Sequence, residues 1–146
     1  MHAVLIALHA LTGTVALLAG CVAHRRRAYF EVYLWSLVAT VAFLAAAVAE
    51  EWSRLDAVSR ALFAAFVVLG LVMLWLACTA RRLPAPSPRY VDRVGFTLVA
   101  LFDAFIVITV LNLGAPVALV VASGVVVAVA GHFALRAAKA ETLVPR

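Results

Sequence analysis

Long apolar runs separated by short polar segments dominate the chain. Five of them occur, at residues 4–23, 29–49, 57–80, 91–113 and 115–135. Each is close to the ~20 residues that an α-helix needs to cross ~30 Å of hydrocarbon. Apolar residues occur on every side of each run, which is typical of helices surrounded by lipid or by other helices. The pattern predicts an all-α, polytopic transmembrane helix bundle of five spans, in a single domain over residues 1–142.

Charged residues concentrate in alternate segments between the runs. Arginines fill the first segment (24–28) and the third (81–90), and Arg136 and Lys139 follow the last run. The second segment (50–56) carries three acids against Arg54, and the fourth (112–116) is uncharged. By the positive-inside rule, the arginine-rich segments lie in the cytoplasm. This alternation predicts five spans across a prokaryotic cytoplasmic (inner) membrane, with the N-terminus outside and the C-terminus cytoplasmic.

Proline and glycine mark two of the turns. Pro84, Pro86 and Pro88 predict a non-helical third segment, because proline disrupts a helix interior. In the fourth segment, Gly114 is expected to end one helix and Pro116 to begin the next. The last four residues, 143–146, read Leu-Val-Pro-Arg and are interpreted as a purification-tag remnant.

Composition agrees with a nonpolar environment. Of the 146 residues, 67% are hydrophobic and 13% are charged. A water-soluble domain of this length would leave too much of that apolar surface exposed. The net charge of +5 lies at the ends of the apolar runs. It therefore indicates contact with a lipid bilayer and its anionic headgroups, and not with nucleic acid.

The most informative polar residue is Asp103, near the middle of the fourth run. A carboxyl at the bilayer centre costs several kcal/mol, so we expect it to face the bundle interior, protonated or with a partner. At 1.5 Å per residue, Thr12, Thr40 and Ser123 fall at a similar depth, and His9 lies about one turn nearer the outer face. These five residues form the predicted site for a small polar ligand, an ion or a proton.

Two other functions are open at this stage. A protonated Asp103 could join helices in a non-catalytic accessory or assembly protein that acts by packing. Alternatively, the chain could be a haem- or metal-binding redox subunit, for which only His24 and His132 lie at one level. No catalytic motif is recognisable, which favours a function other than catalysis and leaves any cofactor unknown.

A single chain of this length makes a thin bundle. We therefore expect a homo-oligomer or a partner membrane protein. The candidate interface is the small-residue face of span 1 (Gly13, Ala16, Gly20) or of span 5 (Gly124, Ala128, Gly131), because small residues allow helices to approach closely.

The N-terminal third carries a recognisable arrangement. It consists of His9, Gly13, Ala16 and Gly20 in the first span, then His24-Arg25-Arg26 and Tyr33. In these residues the chain resembles a family of prokaryotic predicted multi-span membrane proteins of unknown function. The glycine that the family has after the arginines is absent, and Ala28 occupies that region. The resemblance implies the multi-span architecture and draws attention to His9, without implying a reaction.

Overall fold

Five long helices account for most of the protein. The computed structural model describes residues 1–23, 26–85 and 87–143, with the backbone alone at 58, 142 and 143. The helices are α1 (His2–Ala23), α2 (Phe30–Glu51), α3 (Ala57–Ala80), α4 (Pro88–Asn112) and α5 (Val117–Leu143). A short 3₁₀ turn, Arg27–Tyr29, precedes α2.

All five helices are long and apolar enough to cross a membrane. This confirms the all-α fold and the presence of five candidate membrane spans. Two boundaries differ from the prediction by three residues or more. Helix α4 begins three residues earlier than position 91, at Pro88, and α5 continues past position 135 to Leu143. With 27 residues, α5 is about 40 Å long, which exceeds the ~30 Å hydrocarbon thickness.

The start of α4 corrects the expectation that Pro88 excludes helix. Pro88 is the first helical residue, and the side chain of Ser87 caps the helix by accepting a hydrogen bond from the Tyr90 amide at 3.3 Å. Proline suits this position because the first amides of a helix have no intrahelical partner. Pro84 lies outside the helices as predicted, and Pro86 falls outside the described residues.

The turn between α4 and α5 follows the predicted glycine stop. Gly114 has a φ of +75°, a left-handed conformation that side chains with a Cβ rarely adopt. The amide of Gly114 donates to the Leu111 carbonyl at 3.0 Å, and the amide of Ala115 donates to the Val110 carbonyl at 3.3 Å. These two bonds form a Schellman motif. The Pro116 carbonyl then accepts from the amides at the start of α5.

The chain forms two compact units, Met1–Cys78 and Thr79–Arg146. In the first, α1 and α2 pack against each other around Ala16, Tyr33 and Leu37, none of which is exposed. Helix α3 approaches α2 at Gly70, where an added Cβ would lie 2.9 Å from a methyl group of Val41. Glycine at this position therefore permits the contact.

The second unit consists of α4 and α5, which run antiparallel. Along α4, the contacts pair Asp92 with Lys139, Gly95 with Leu135, Val99 with Gly131 and Val107 with Gly124. The two residue numbers of each pair add to 230 or 231, so the alignment of the helices is constant along their length. A Cβ at Gly95 would collide with Leu135, and one at Gly131 would collide with Val99. Glycines thus set the separation of this pair.

The small residues of spans 1 and 5 therefore make contacts within the chain. On α1, an added Cβ at Gly13 would lie 3.5 Å from the Thr40 methyl group, and Ala16 and Gly20 are buried. On α5, Gly124 and Gly131 face α4. Self-association of the chain stays a prediction.

Candidate functional site

Three of the predicted site residues come together between α1 and α2. The Nδ1 atom of His9 lies 2.9 Å from the backbone carbonyl oxygen of Thr40. Because a carbonyl can only accept, the Nδ1–H group of His9 is the donor of this bond. The hydroxyl oxygens of Thr12 and Thr40 are 3.1 Å apart. Thr12 and Thr40, for which the sequence predicts a similar depth, are thus in contact with each other.

The two threonines are also bonded to their own helices. The Thr12 hydroxyl donates to the Leu8 carbonyl at 2.8 Å, and the Thr40 hydroxyl reaches the Ser36 carbonyl at 2.7 Å. Only 4% of Thr40 is exposed. The polar groups of this cluster are therefore satisfied by one another and by the backbone, which suits a contact that joins two helices in a nonpolar environment.

Asp103 has different surroundings on α4. Its side chain is half-buried, and its Oδ1 atom is buried without a hydrogen-bond partner among the described residues. It faces α5 at Gly124, where an added Cβ would lie 3.5 Å from Oδ1 and 3.2 Å from a methyl group of Val107. The residue that Asp103 faces on α5 is thus a glycine. That Asp103 faces the interior of a five-helix bundle stays a prediction.

Ser123 is adjacent to Gly124 but is bonded elsewhere. Its hydroxyl donates to the Val120 carbonyl of its own helix at 2.8 Å. The five predicted site residues therefore fall into two groups. His9, Thr12 and Thr40 interact in the first unit, and Asp103 and Ser123 belong to the second.

Sequence reasoning assigned Gly124 to packing and missed its place beside Asp103. A signal was available in the tight turn at Gly114. Counting equal numbers of residues along α4 and α5 from that turn puts position 124 opposite Asp103, within one turn. The ion pair of Asp92 with Lys139, at 2.8 Å, was also missed, because α5 was expected to end earlier.

The residues considered for a metal or haem are less informative. Within ranges 1–23, 26–85 and 87–143, no three His, Cys, Asp or Glu side chains are arranged to hold a metal ion. His24, one of the two candidate haem ligands, falls outside the described residues. The other, His132, is exposed, and its ring packs edge-on against Phe133.

Comparison of the chain with protein-family models, with characterised proteins and with solved structures gives no match. The resemblance of the N-terminal third to a multi-span family therefore stays a prediction. Function has to be inferred from the two polar groups themselves.

Proposed function

We propose that the chain is an integral protein of a prokaryotic cytoplasmic membrane and that it binds and exchanges a proton at Asp103. The five apolar helices support the membrane location. The positive-inside rule supports a cytoplasmic position for Arg26, Arg82 and Arg136, and an outer position for the acidic turn between α2 and α3. The N-terminus is then outside and the C-terminus inside.

The observation that carries the proposal is the buried, unpartnered Oδ1 of Asp103. An ionised carboxylate in hydrocarbon without a partner costs several kcal/mol, and a bound proton removes that charge. A well-satisfied structural carboxyl would have a donor or acceptor across the helix contact. At Asp103 the facing residue is Gly124, which offers no side chain. Because the Asp103 carboxyl has no hydrogen-bond partner at this contact, we assign it proton binding and not a structural hydrogen bond.

The space beside Asp103 limits what else can bind. A methyl group at Gly124 would be in ordinary van der Waals contact with Oδ1, at 3.5 Å, and in tight contact with Val107. The buried Oδ1 atom therefore has no water-sized space beside it at Gly124. A metal cation bound by several oxygen atoms would need further ligands, and the facing residue Gly124 has no side chain to supply one.

A second function is supported by the contact between α1 and α2. The mutually satisfied His9, Thr12 and Thr40 and the glycines of the α4 and α5 contact are features that join helices. In an accessory or assembly protein, Asp103 would be part of the packing. Exchange of protons at Asp103 separates the two functions.

Proton flux in sealed proteoliposomes with a trapped pH-sensitive dye tests the proposal. We expect Asp103→Asn to reduce the flux at least tenfold, because an amide does not ionise near neutral pH and so cannot take up and release a proton as a carboxyl does. Thr109→Val is the matched control, since Thr109 is an exposed residue of the same helix bonded to its own backbone. Wild-type flux in Asp103→Asn, together with a lower melting temperature, would instead favour the accessory function.

A further inference from the structure

The end of the α4 and α5 pair that includes Asp92 and Lys139 carries three unpaired arginines. Arg89 and Arg136 are exposed and Arg93 is half-buried. None of the three makes a hydrogen bond, an ion pair or a ring contact with any described residue. By contrast, the arginine of the turn before α3 and the arginine in the first turn of α3 are both bonded within the protein. Arg54 binds Glu51, and Arg60 donates to the Trp52 and Ser53 carbonyls.

The alignment of the helices brings Arg93 and Arg136 to one depth. The ion pair of Asp92 with Lys139 and the contact of Gly95 with Leu135 fix that alignment. Because paired residue numbers add to about 230, position 93 of α4 is level with position 137 of α5, which is next to Arg136. Both arginines also lie roughly 15 Å along the helix axis from Asp103, about half of the ~30 Å hydrocarbon thickness. This depth is where lipid headgroups begin.

The same contacts bring the two guanidinium groups to one side of the pair. Seen from the end with the arginines, α4 runs away from the viewer and α5 runs toward the viewer. From Asp92 to Arg93 the helix turns about 100° clockwise, and from Leu135 to Arg136 it turns about 100° counterclockwise. Because Asp92 and Leu135 both point at the partner helix, these opposite rotations direct Arg93 and Arg136 to the same side.

One neighbour of Arg93 adds positive charge and another adds apolar surface. Arg89 is one turn before Arg93 on the same stripe of α4. Phe96, which is 41% exposed, comes one turn deeper. The two nearby acids do not offset the arginines. Asp92 is paired with Lys139, and Glu141 is about 200° around α5 from Lys139, so that it faces away from α4.

We propose that Arg93 and Arg136, assisted by Arg89, bind the phosphate headgroup of an anionic phospholipid in the cleft between α4 and α5. Guanidinium groups match phosphate oxygens with paired hydrogen bonds, and basic pockets between membrane helices on the cytoplasmic side suit such headgroups. Phe96 contacts the first part of the acyl chain. This site is separate from Asp103 and does not depend on proton exchange.

Binding of phosphatidylglycerol to the purified protein in phosphatidylcholine nanodiscs tests this proposal. We expect Arg93→Gln with Arg136→Gln to weaken binding about tenfold or more, as measured by the retained lipid in native mass spectrometry. The matched control is Arg26→Gln with Arg82→Gln, which removes two exposed arginines from segments predicted to lie on the same side of the membrane. The control is expected to keep wild-type binding.

Three further variants distinguish a loss of lipid binding from misfolding. Each single variant, Arg93→Gln and Arg136→Gln, should lose part of the binding, with helicity and elution volume unchanged. Arg93→Lys with Arg136→Lys keeps the charge and should bind at an intermediate level, because lysine cannot form the paired bonds. If the control and the site variants lost the same amount of lipid binding, net positive charge alone would explain the binding, and the proposal would be overturned. Competition by inorganic phosphate at the affinity of the lipid would also overturn it, since the site would then recognise free phosphate.

Discussion

The surroundings of the Asp103 carboxyl are determined by the facing residue of α5, Gly124, which has no side chain. Gly124 permits α5 to lie against Asp103 and Val107, yet offers no group that could bond to Oδ1. A carboxyl with no neighbour to share its proton is expected to stay neutral in a nonpolar environment. The proton at this position can then be exchanged without breaking a contact between helices.

The role of Gly124 can be tested by enlarging it. We expect Gly124→Val to destabilise the protein by about 1–3 kcal/mol, because the added methyl groups crowd Val107 and the Asp103 carboxyl. The measurement is the thermal unfolding midpoint in lipid nanodiscs. Ala128→Val is the matched control, since Ala128 lies one turn further along α5 and is exposed. Equal midpoints for the two variants would contradict the close approach of α5 to Asp103.

His9 differs from Asp103 because its Nδ1 atom is hydrogen-bonded to the backbone carbonyl of Thr40. We expect His9→Ala to destabilise the protein by about 1 kcal/mol through loss of the bond to the Thr40 carbonyl. Since the acceptor is backbone, the same loss should persist when Thr40 is replaced by valine. A double-mutant cycle of chemical unfolding measures this. If Thr40→Val abolishes the effect of His9→Ala, the bond is not to the backbone.

The sequence predicted a similar depth for Thr12 and Thr40, which are in contact, because depth along two adjacent helices follows from residue count. It also put Asp103 and Ser123 in the same site, and these belong to the second unit. It was insufficient for the partners of individual atoms. A serine or threonine in a helix can bond to its own backbone, as Ser123 and Thr12 do, and nothing in the residue order shows when it will. The neighbour of Asp103 depended on the alignment of α4 with α5, which the sequence-based prediction did not consider.

At the scale of the helices, the turn chemistry explains where the elements begin and end. Ser87 and Pro88 start α4, and the left-handed Gly114 ends it. Asp56 caps the start of α3, because its carboxylate accepts a hydrogen bond from the Ser59 amide at 2.9 Å. The five spans were predictable from their apolar length. The extension of α5 to Leu143 was not, because it carries Arg136 and Lys139 and resembles a polar tail.

Gly114 offers a test at this scale. We expect Gly114→Ala to destabilise the turn by roughly 1–2 kcal/mol, because a Cβ disfavours the φ of +75°. Gly114→Asn is the matched variant and should be milder, since asparagine tolerates the left-handed conformation better. Thermal unfolding of the two variants gives the comparison. An alanine variant as stable as the wild type would argue against the observed turn.

At the scale of the whole molecule, the alternation of charge and the number of helices combine into one topology. An odd number of spans places the two termini on opposite sides of the membrane. The turn between α2 and α3 is acidic and the turn between α4 and α5 is uncharged, so both are expected outside.

This topology can be checked by labelling single cysteines from outside intact cells, in a variant with Cys21 and Cys78 replaced by alanine. We expect a membrane-impermeant maleimide to label Ser53→Cys and Leu113→Cys, because both positions are exposed in the predicted outer turns. Arg82→Cys and Ala140→Cys should react only after the membrane is permeabilised. Labelling of Arg82→Cys in intact cells would reverse the proposed orientation.

The central claim is that Asp103 holds a proton within the contact between α4 and α5. Infrared absorption in the carbonyl-stretching region of protonated carboxyls measures this in lipid, with the wild type compared to Asp103→Asn. At neutral pH we expect the wild type to show a protonated-carboxyl band that the variant lacks. Identical spectra in this region would mean that Asp103 is ionised at rest, and they would contradict the account.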